Sequence, residues 1–236
     1  MARQLFELTG TDPARRFSPY CWRSRMALAH KGLDAEIIPW RFTENDRLAA
    51  HGGKSVPILV DGAATLTDSW DIALHLDQTY PDAPALFQGP PETYRFLSAW
   101  TDAVLTAGVA RLVVSDIVGL LGPAEAAYFI ESREKRFGMK LAEVTADREA
   151  RLPEFRAALA PLRRTLSLQP FLGGATPDYA DYIAFGSFMW ARVVSPFALL
   201  APDDAIFTWR DRLLDLHGGL ARAVPALEAW PLNAAG

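Results

Sequence analysis

The chain has 236 residues, 50% of them hydrophobic and 22% charged, which is the composition of a folded globular protein long enough for two domains. Its net charge of −4 comes from scattered charges without a basic stripe, which argues against nucleic-acid binding. The one cysteine, Cys21, has no partner for an internal disulfide, so a reducing compartment is expected.

The first predicted elements are a strand, a helix and a second strand. Residues 4–8 form a short apolar run typical of a strand, and turn-forming residues follow it. A helix is predicted over residues 18–31, with Ser18 as its N-cap and Pro19 at its first position, where a missing N–H costs nothing. Residues 35–40 predict the second strand.

A hairpin and a further helix follow. Residues 57–60 and 64–66 are apolar runs on either side of Asp61 and Gly62, and Asp-Gly in this setting is a strong hairpin signal. Residues 68–80 carry a helical pattern. A parallel strand–helix–strand unit followed by an antiparallel pair is the thioredoxin-like layout, so residues 1–81 are predicted to form an α/β thioredoxin-like domain.

The rest of the chain has helical patterns and no convincing strand. A proline-rich linker is predicted at residues 82–90, and an all-α C-terminal domain at residues 91–236. The longest helical patterns cover residues 94–121 and 134–164. Pro153 and Pro161 are expected to break the second of these.

The most hydrophobic segment is predicted to be a buried helix. Residues 182–201 are long enough to span a membrane, but Arg192 lies near their middle. Asp178, with Asp181 three residues later, approximates a capping box for this helix. Residues 1–8 lack the apolar core of a signal peptide, so a cytoplasmic protein without a membrane partner is expected.

Three short motifs occur in order within the predicted α/β domain. They are Ser18-Pro19-Tyr20 at a helix start, Val56-Pro57 entering a strand, and Asp68-Ser69-Trp70 opening another helix. Together with Phe42-Thr43 and Ala180-Asp181-Tyr182, they make the chain resemble the glutathione S-transferase superfamily over nearly its full length. Residues 18–32 are most similar to the bacterial β-etherase class and related fungal glutathione transferases.

The resemblance assigns the catalytic role to Ser18. The pKa of a free thiol is near 8.5, so only about 3% of it is thiolate at neutral pH. A hydroxyl donating to sulfur at a helix N-terminus stabilises the anion through a charge-assisted hydrogen bond and the helix dipole. From the residues alone, a plain N-cap is the favoured interpretation of Ser18, and the resemblance is what favours catalysis.

Cys21 is the alternative nucleophile, because a cysteine near a helix N-terminus can have a lowered pKa and form a mixed disulfide. In thiol-exchanging relatives, however, the cysteine stands immediately before the proline, where this chain has Ser18. Cys21 is therefore interpreted as a small packed residue. Serine at the key position favours conjugation, thioether-forming cleavage or isomerisation over disulfide reduction.

The resemblance also implies a glutathione site made of Val56, Pro57, Asp68, Ser69 and Lys54. In the family, a cis peptide before the proline turns the backbone of the preceding residue outward to pair with the cysteinyl group of glutathione. Ser69 would meet the γ-glutamyl carboxylate, Asp68 the ammonium group, and Lys54 the glycine carboxylate. From the residues alone, Pro57 would be a plain strand start and Asp68 an N-cap.

An apolar pocket for a second substrate is expected between the domains. Its candidate residues are Phe17, Tyr20, Trp40, Phe42, Tyr94 and Trp100. Aromatic residues at helical spacing are also common in protein cores. No metal site is expected, because none of the four His stands at ligand spacing to another His or to Cys21.

The sequence therefore predicts a glutathione-dependent transferase or lyase, with glutathione as co-substrate and an apolar, aromatic electrophile as its partner. Cleavage of β-aryl ethers is one form of this activity, and detoxification or degradation of aromatic compounds is its expected setting. Glutathione-dependent double-bond isomerisation is a second hypothesis, and a non-catalytic module that binds ligands or proteins is a third. Relatives are usually homodimers, so a homodimer is expected.

Overall fold

A computed structural model of the chain describes residues 3–228. Its N-terminal part contains a mixed four-stranded sheet of order β2-β1-β3-β4. The strands are β1 (Gln4–Leu8), β2 (Glu36–Trp40), β3 (Ile58–Asp61) and β4 (Ala64–Leu66). β1 pairs parallel with β2 and antiparallel with β3, and β3 pairs antiparallel with β4. The predicted thioredoxin-like domain is therefore confirmed.

Helices α1 (Pro19–His30), α2 (Asn45–Ala49) and α3 (Ser69–Thr79) accompany the sheet. The sequence predicts α1 and α3 because a side-chain cap marks each start, Ser18 for α1 and Asp68 for α3. It misses α2, which has only 5 residues and a preceding residue, Glu44, that makes no side-chain cap.

Residues 91–228 are helical, and their only strand-like feature is an isolated bridge between Phe171 and Gly174. The helices are α4 (Arg95–Trp100), α5 (Ala107–Val113), α6 (Pro123–Phe137), α7 (Leu141–Val144), α8 (Arg148–Ala158), α9 (Ala160–Leu166), α10 (Tyr179–Val194) and α11 (Ala205–Gly219). A π-helical turn, Thr101–Thr106, joins α4 to α5. The predicted all-α domain is confirmed, while residues 1–2 and 229–236 of the predicted domains lie outside the described residues.

The two prolines of the charged segment behave differently. The prediction of a break at Pro153 is wrong, because α8 continues through it. The carbonyl of Glu149 loses its helical partner there, but Pro153 and Glu149 are both exposed, so water can satisfy that carbonyl. Near Pro161 the helix does break, at Leu159, and the proline lies in the first turn of α9.

α10 is the buried helix that joins the two domains. Nearly all of its residues are buried, and it packs along α1. Gly186 permits this approach, since a Cβ at that position would lie 2.2 Å from the carbonyl oxygen of Pro19. The helical domain therefore supports the first turn of α1, and the predicted buried helix within residues 182–201 is confirmed.

The predicted capping box of α10 is present. Asp181 is 0% exposed. Its carboxylate accepts hydrogen bonds from the backbone N–H groups of Leu172, Gly173 and Asp178 at 2.7, 3.0 and 3.1 Å. It also accepts one from the indole N–H of Trp209 at 2.7 Å. One buried side chain thus ties the preceding loop and α11 to the start of α10.

The helical run Pro91–Leu120 is, by length and composition, apolar enough to cross a membrane. A single helix of this kind is weak evidence for a membrane, because core helices of soluble proteins meet the same criteria. Its residues Leu105, Val109 and Leu112 are fully buried in the hydrophobic core.

Candidate active site

The three sequence motifs meet at one edge of the sheet. β1 and β2 run in the same direction, so their carboxyl ends, Leu8 and Trp40, lie side by side. β3 runs the opposite way and begins at this edge, just after Val56-Pro57, while β4 ends there and leads into α3. The chain returns to the same edge before α1, since the N–H of Phe17 donates to the carbonyl of Leu8. The starts of α1 and α3 are therefore neighbours of the Val56-Pro57 pair.

Ser18 lies at the N-terminus of α1 in an extended conformation, with φ −67° and ψ 126°. It is buried, and its Oγ accepts a hydrogen bond from the backbone N–H of Cys21 at 3.3 Å. Because Oγ accepts through a lone pair, its hydrogen remains available for donation to another group. The capping role and a thiol-binding role are thus compatible in one side chain.

Cys21 lies one turn further along and is closed off. It is 1% exposed, and its thiol points at the carbonyl of Phe6 with an Sγ–O distance of 3.9 Å. Burial, together with the nearby carboxylate of Glu7, raises the pKa of this thiol to about 12. Cys21 is a neutral, packed residue, as its position after Ser18 indicated.

The peptide bond between Val56 and Pro57 is cis, as the resemblance implied. Val56 lies outside the paired part of β3, and within residues 3–228 its N–H and C=O have no hydrogen-bond partner. These two groups can therefore pair with an extended backbone placed alongside. Lys54, in the preceding loop, is exposed and makes no ion pair with the described residues.

Asp68 and Ser69 begin α3 with several groups left free. The Oδ1 atom of Asp68 accepts both capping bonds, from the N–H groups of Trp70 at 2.8 Å and Asp71 at 3.4 Å. Its Oδ2 atom, and the hydroxyl and N–H of Ser69, have no hydrogen-bond partner among the described residues. A helix N-terminus with free donors beside a free carboxylate oxygen can hold a carboxylate and an ammonium group together.

The residue that positions Ser69 is not among those predicted from the sequence. Tyr179, at the first position of α10, donates its hydroxyl to the carbonyl oxygen of Ser69 at 2.8 Å. Tyr179 is 1% exposed, so this bond crosses the domain interface without competing water. The sequence shows that Tyr179 follows the capping residue Asp178, but it does not indicate that α3 is the helix that Tyr179 contacts.

Ser18 also lines a cleft between the domains. The cleft encloses about 820 Å³, counting the space open to solvent. Its residues from the first domain are Leu8, Phe17, Ser18, Pro19, Tyr20 and Phe42. Its residues from the helical domain are Asp102, Thr106, Ala107, Ala110, Val114, Ile117, Phe129, Arg133, Arg136, Phe137 and Trp190. The walls are mainly apolar, so the cleft can hold an apolar molecule against the Ser18 hydroxyl.

The aromatic residues predicted for this pocket divide evenly. Phe17, Tyr20 and Phe42 line the cleft, whereas Trp40, Tyr94 and Trp100 do not. Trp40 is 5% exposed and packs edge-on against Phe42. The Tyr94 hydroxyl instead donates to Asp178 at 2.6 Å, and Trp100 packs against the hydrophobic core.

The polar residues that the helical domain contributes to the cleft come from the π-helical turn and from α6, and none of them was predicted from the sequence. Asp102 pairs with Arg23 at 2.7 Å, and the Arg23 guanidinium lies 4.6 Å from the centre of the Tyr20 ring. Burial and the Asp102 charge raise the pKa of the Tyr20 hydroxyl, so it stays neutral. Within residues 3–228, no group of three or more His, Cys, Asp or Glu could hold a metal ion.

Comparison with known proteins is consistent with this arrangement. The family model of the glutathione S-transferase N-terminal domain matches residues 14–85, and that of the C-terminal domain matches residues 94–199. The chain is 41% identical over 76 residues to glutathione S-transferase Z1 of Arabidopsis thaliana, a match that covers 28% of this chain and 34% of that relative. It is 23% identical over 217 residues to glutathione S-transferase U28 of the same plant, covering 89% and 86% of the two chains.

The whole fold recurs in solved structures. The glutathione S-transferase CsGST63524 of Ceriporiopsis subvermispora, solved in complex with glutathione, has a TM-score of 0.77 at 23% identity, covering 95% of this chain and 99% of its own. Both domains of the fold are present here, and each matches the corresponding family model in the same order along the chain. On these grounds, the chain belongs to the glutathione S-transferase superfamily.

Proposed function

We propose that the protein is a glutathione transferase in which Ser18 stabilises the thiolate of glutathione. The observation that carries the proposal is the position of the Ser18 hydroxyl, at the N-terminus of a 12-residue helix and on the wall of the apolar cleft. Lowering a thiol pKa by about two units requires about 2.7 kcal/mol of differential stabilisation. A charge-assisted hydrogen bond and the dipole of α1 together reach that size.

Glutathione is proposed to lie along the sheet edge described above. Its cysteinyl backbone would pair with the free N–H and C=O of Val56, beside Pro57, which brings the thiol to Ser18. The γ-glutamyl carboxylate would bind the free donors of Ser69, and its ammonium group the Oδ2 atom of Asp68. Lys54 is exposed nearby for the glycine carboxylate.

In the proposed reaction, the thiolate attacks an electrophilic carbon of an aromatic substrate held in the cleft. The sulfur electron pair forms the new S–C bond, and the leaving group departs with the electrons of the bond that breaks. In β-aryl ether cleavage the broken bond is C–O, and the aryl oxide takes a proton from water. In isomerisation the S–C bond would break again, so a product without glutathione would identify that activity.

The first prediction concerns glutathione binding. We expect Ser69→Ala to weaken the Kd for reduced glutathione about 10- to 100-fold, because a hydrogen bond to a charged group is lost. Isothermal titration calorimetry measures this, with Thr65→Ala as a matched control that removes an exposed hydroxyl from β4. Absence of binding by the unmodified protein at millimolar glutathione would contradict the proposal and favour the non-catalytic module.

A homodimer is also proposed. In the most apolar 18-residue window of the run Pro91–Leu120 only 33% of the residues are buried, and Phe96 on α4 is 81% exposed. An apolar surface of this kind is typical of a face that associates with another protein. Light scattering should give the mass of two chains, and the mass of one chain would contradict the prediction.

A further inference from the structure

The cleft contains a cation, Arg133, whose charge no carboxylate of the described residues balances. Arg133 lies in α6 and lines the cleft together with Ser18. Its guanidinium carbon is 4.5 Å from the centre of the Phe129 ring and 5.5 Å from that of Phe42. Two buried rings therefore hold the guanidinium in place against the apolar wall.

The Arg133 guanidinium has no ion-pair partner in the described part of the chain. Among residues 3–228, Arg133 forms no ion pair, and its one side-chain hydrogen bond goes from Nη1 to the hydroxyl of Ser132 at 3.0 Å. The acidic residue of the cleft, Asp102, is already paired with Arg23. Arg136, the other cationic residue of the cleft, likewise has no carboxylate partner in the described part of the chain.

The surroundings make the unpaired charge costly. Burial lowers the pKa of the Arg133 guanidinium, and the neighbouring charge of Arg136 lowers it further. An arginine nevertheless stays protonated at neutral pH, so its charge loses hydration without gaining a partner. An anionic ligand in the cleft would restore the balance, and a planar carboxylate fits the guanidinium through two parallel hydrogen bonds.

We infer that the second substrate is an aromatic electrophile bearing a carboxylate, and that Arg133 is the residue that selects it. This inference rests on the proposed glutathione transferase activity. The ring would lie among Phe17, Phe42, Phe129 and Phe137, with its carboxylate on Arg133 and its reactive carbon towards Ser18. The carboxylates of glutathione itself are not candidates, because the residues proposed to bind them, Ser69 and Lys54, do not line the cleft.

Binding of two S-aryl glutathione conjugates tests the inference without requiring turnover. One conjugate carries a ring carboxylate and the other a carboxamide of the same shape. Calorimetry should show that the unmodified protein prefers the carboxylate conjugate by about 10- to 100-fold, the range for hydrogen bonds to charged groups. Arg133→Gln should abolish that preference while leaving the carboxamide affinity unchanged, and Arg164→Gln, at an exposed site outside the cleft, should retain it.

The possible failures are distinguishable. If the unmodified protein binds glutathione but binds both conjugates equally, the inferred substrate class is overturned and the proposed transferase stands. If the preference exists but survives in Arg133→Gln, the role of Arg133 is overturned. If neither glutathione nor either conjugate binds, the proposed function and the inference fail together.

Discussion

Replacing Ser18 by alanine is expected to lower kcat/KM for glutathione conjugation by about 10²- to 10³-fold, the usual loss when a preorganised donor to an anion is removed. The Ser18 Oγ is engaged as an acceptor by the N–H of Cys21, so its one hydrogen is the donor that the thiolate would lose. Without it, the pKa of bound glutathione should rise toward about 8.5, the value of a free thiol. The pH dependence of kcat/KM and the ultraviolet absorbance of the bound thiolate both report that pKa.

The alanine substitution also removes the helix cap, which costs about 1 kcal/mol of stability, so control variants are needed to separate loss of the cap from loss of the thiolate donor. Ser18→Thr keeps both the hydroxyl and the cap, and should retain most of the turnover. Ser18→Asp keeps an acceptor for the Cys21 N–H but places a negative charge beside the sulfur, so it should be as inactive as the alanine variant. Unchanged turnover in Ser18→Ala would remove Ser18 from the mechanism.

Replacing Asp181 by alanine is expected to lower the free energy of unfolding by at least about 3 kcal/mol. The carboxylate is 0% exposed and accepts three backbone N–H groups and the indole N–H of Trp209. Each buried donor left without a partner costs about 1–3 kcal/mol, and a methyl group can satisfy none of them. Native stabilities are about 5–15 kcal/mol, so the loss would be a large share of the total.

Urea denaturation followed by tryptophan fluorescence measures this change. Asp203→Ala is the matched control, because Asp203 is an exposed aspartate, and its cost should stay within about 0.5 kcal/mol. The loss of unfolding free energy in Asp181→Asn should lie between those of Asp203→Ala and Asp181→Ala. The amide keeps one acceptor oxygen but turns its NH₂ group towards other donors. An Asp181→Ala variant as stable as Asp203→Ala would show that the network contributes little.

The first domain and its motifs could be predicted because local and topological signals agree there. Ser18 and Pro19 mark the start of α1, and the Asp61-Gly62 turn joins β3 to β4. The directions of the strands then place all three motifs at the same edge of the sheet. The cis bond at Val56-Pro57, by contrast, was implied by the family resemblance, since a local sequence does not distinguish it from a trans bond.

The helical side of the cleft could not be predicted from the sequence. Helical periodicity identifies an apolar face, but it does not say which element of another domain will cover that face. Periodicity alone therefore predicts Tyr94 and Trp100 for the pocket, whereas both lie outside it. Arg133 occurs next to a charged segment and resembles an ordinary solvated residue until the position of α6 against Phe42 is known.

The contact between Gly186 and Pro19 limits how far the two domains can be exchanged between relatives. A linker between the domains suggests that the first domain could be joined freely to the helical domain of another member of the superfamily. Yet a larger residue at position 186 would meet the Pro19 carbonyl, immediately after Ser18. A chimera therefore inherits the placement of the Ser18 hydroxyl from the helical half as well as from the half that encodes it.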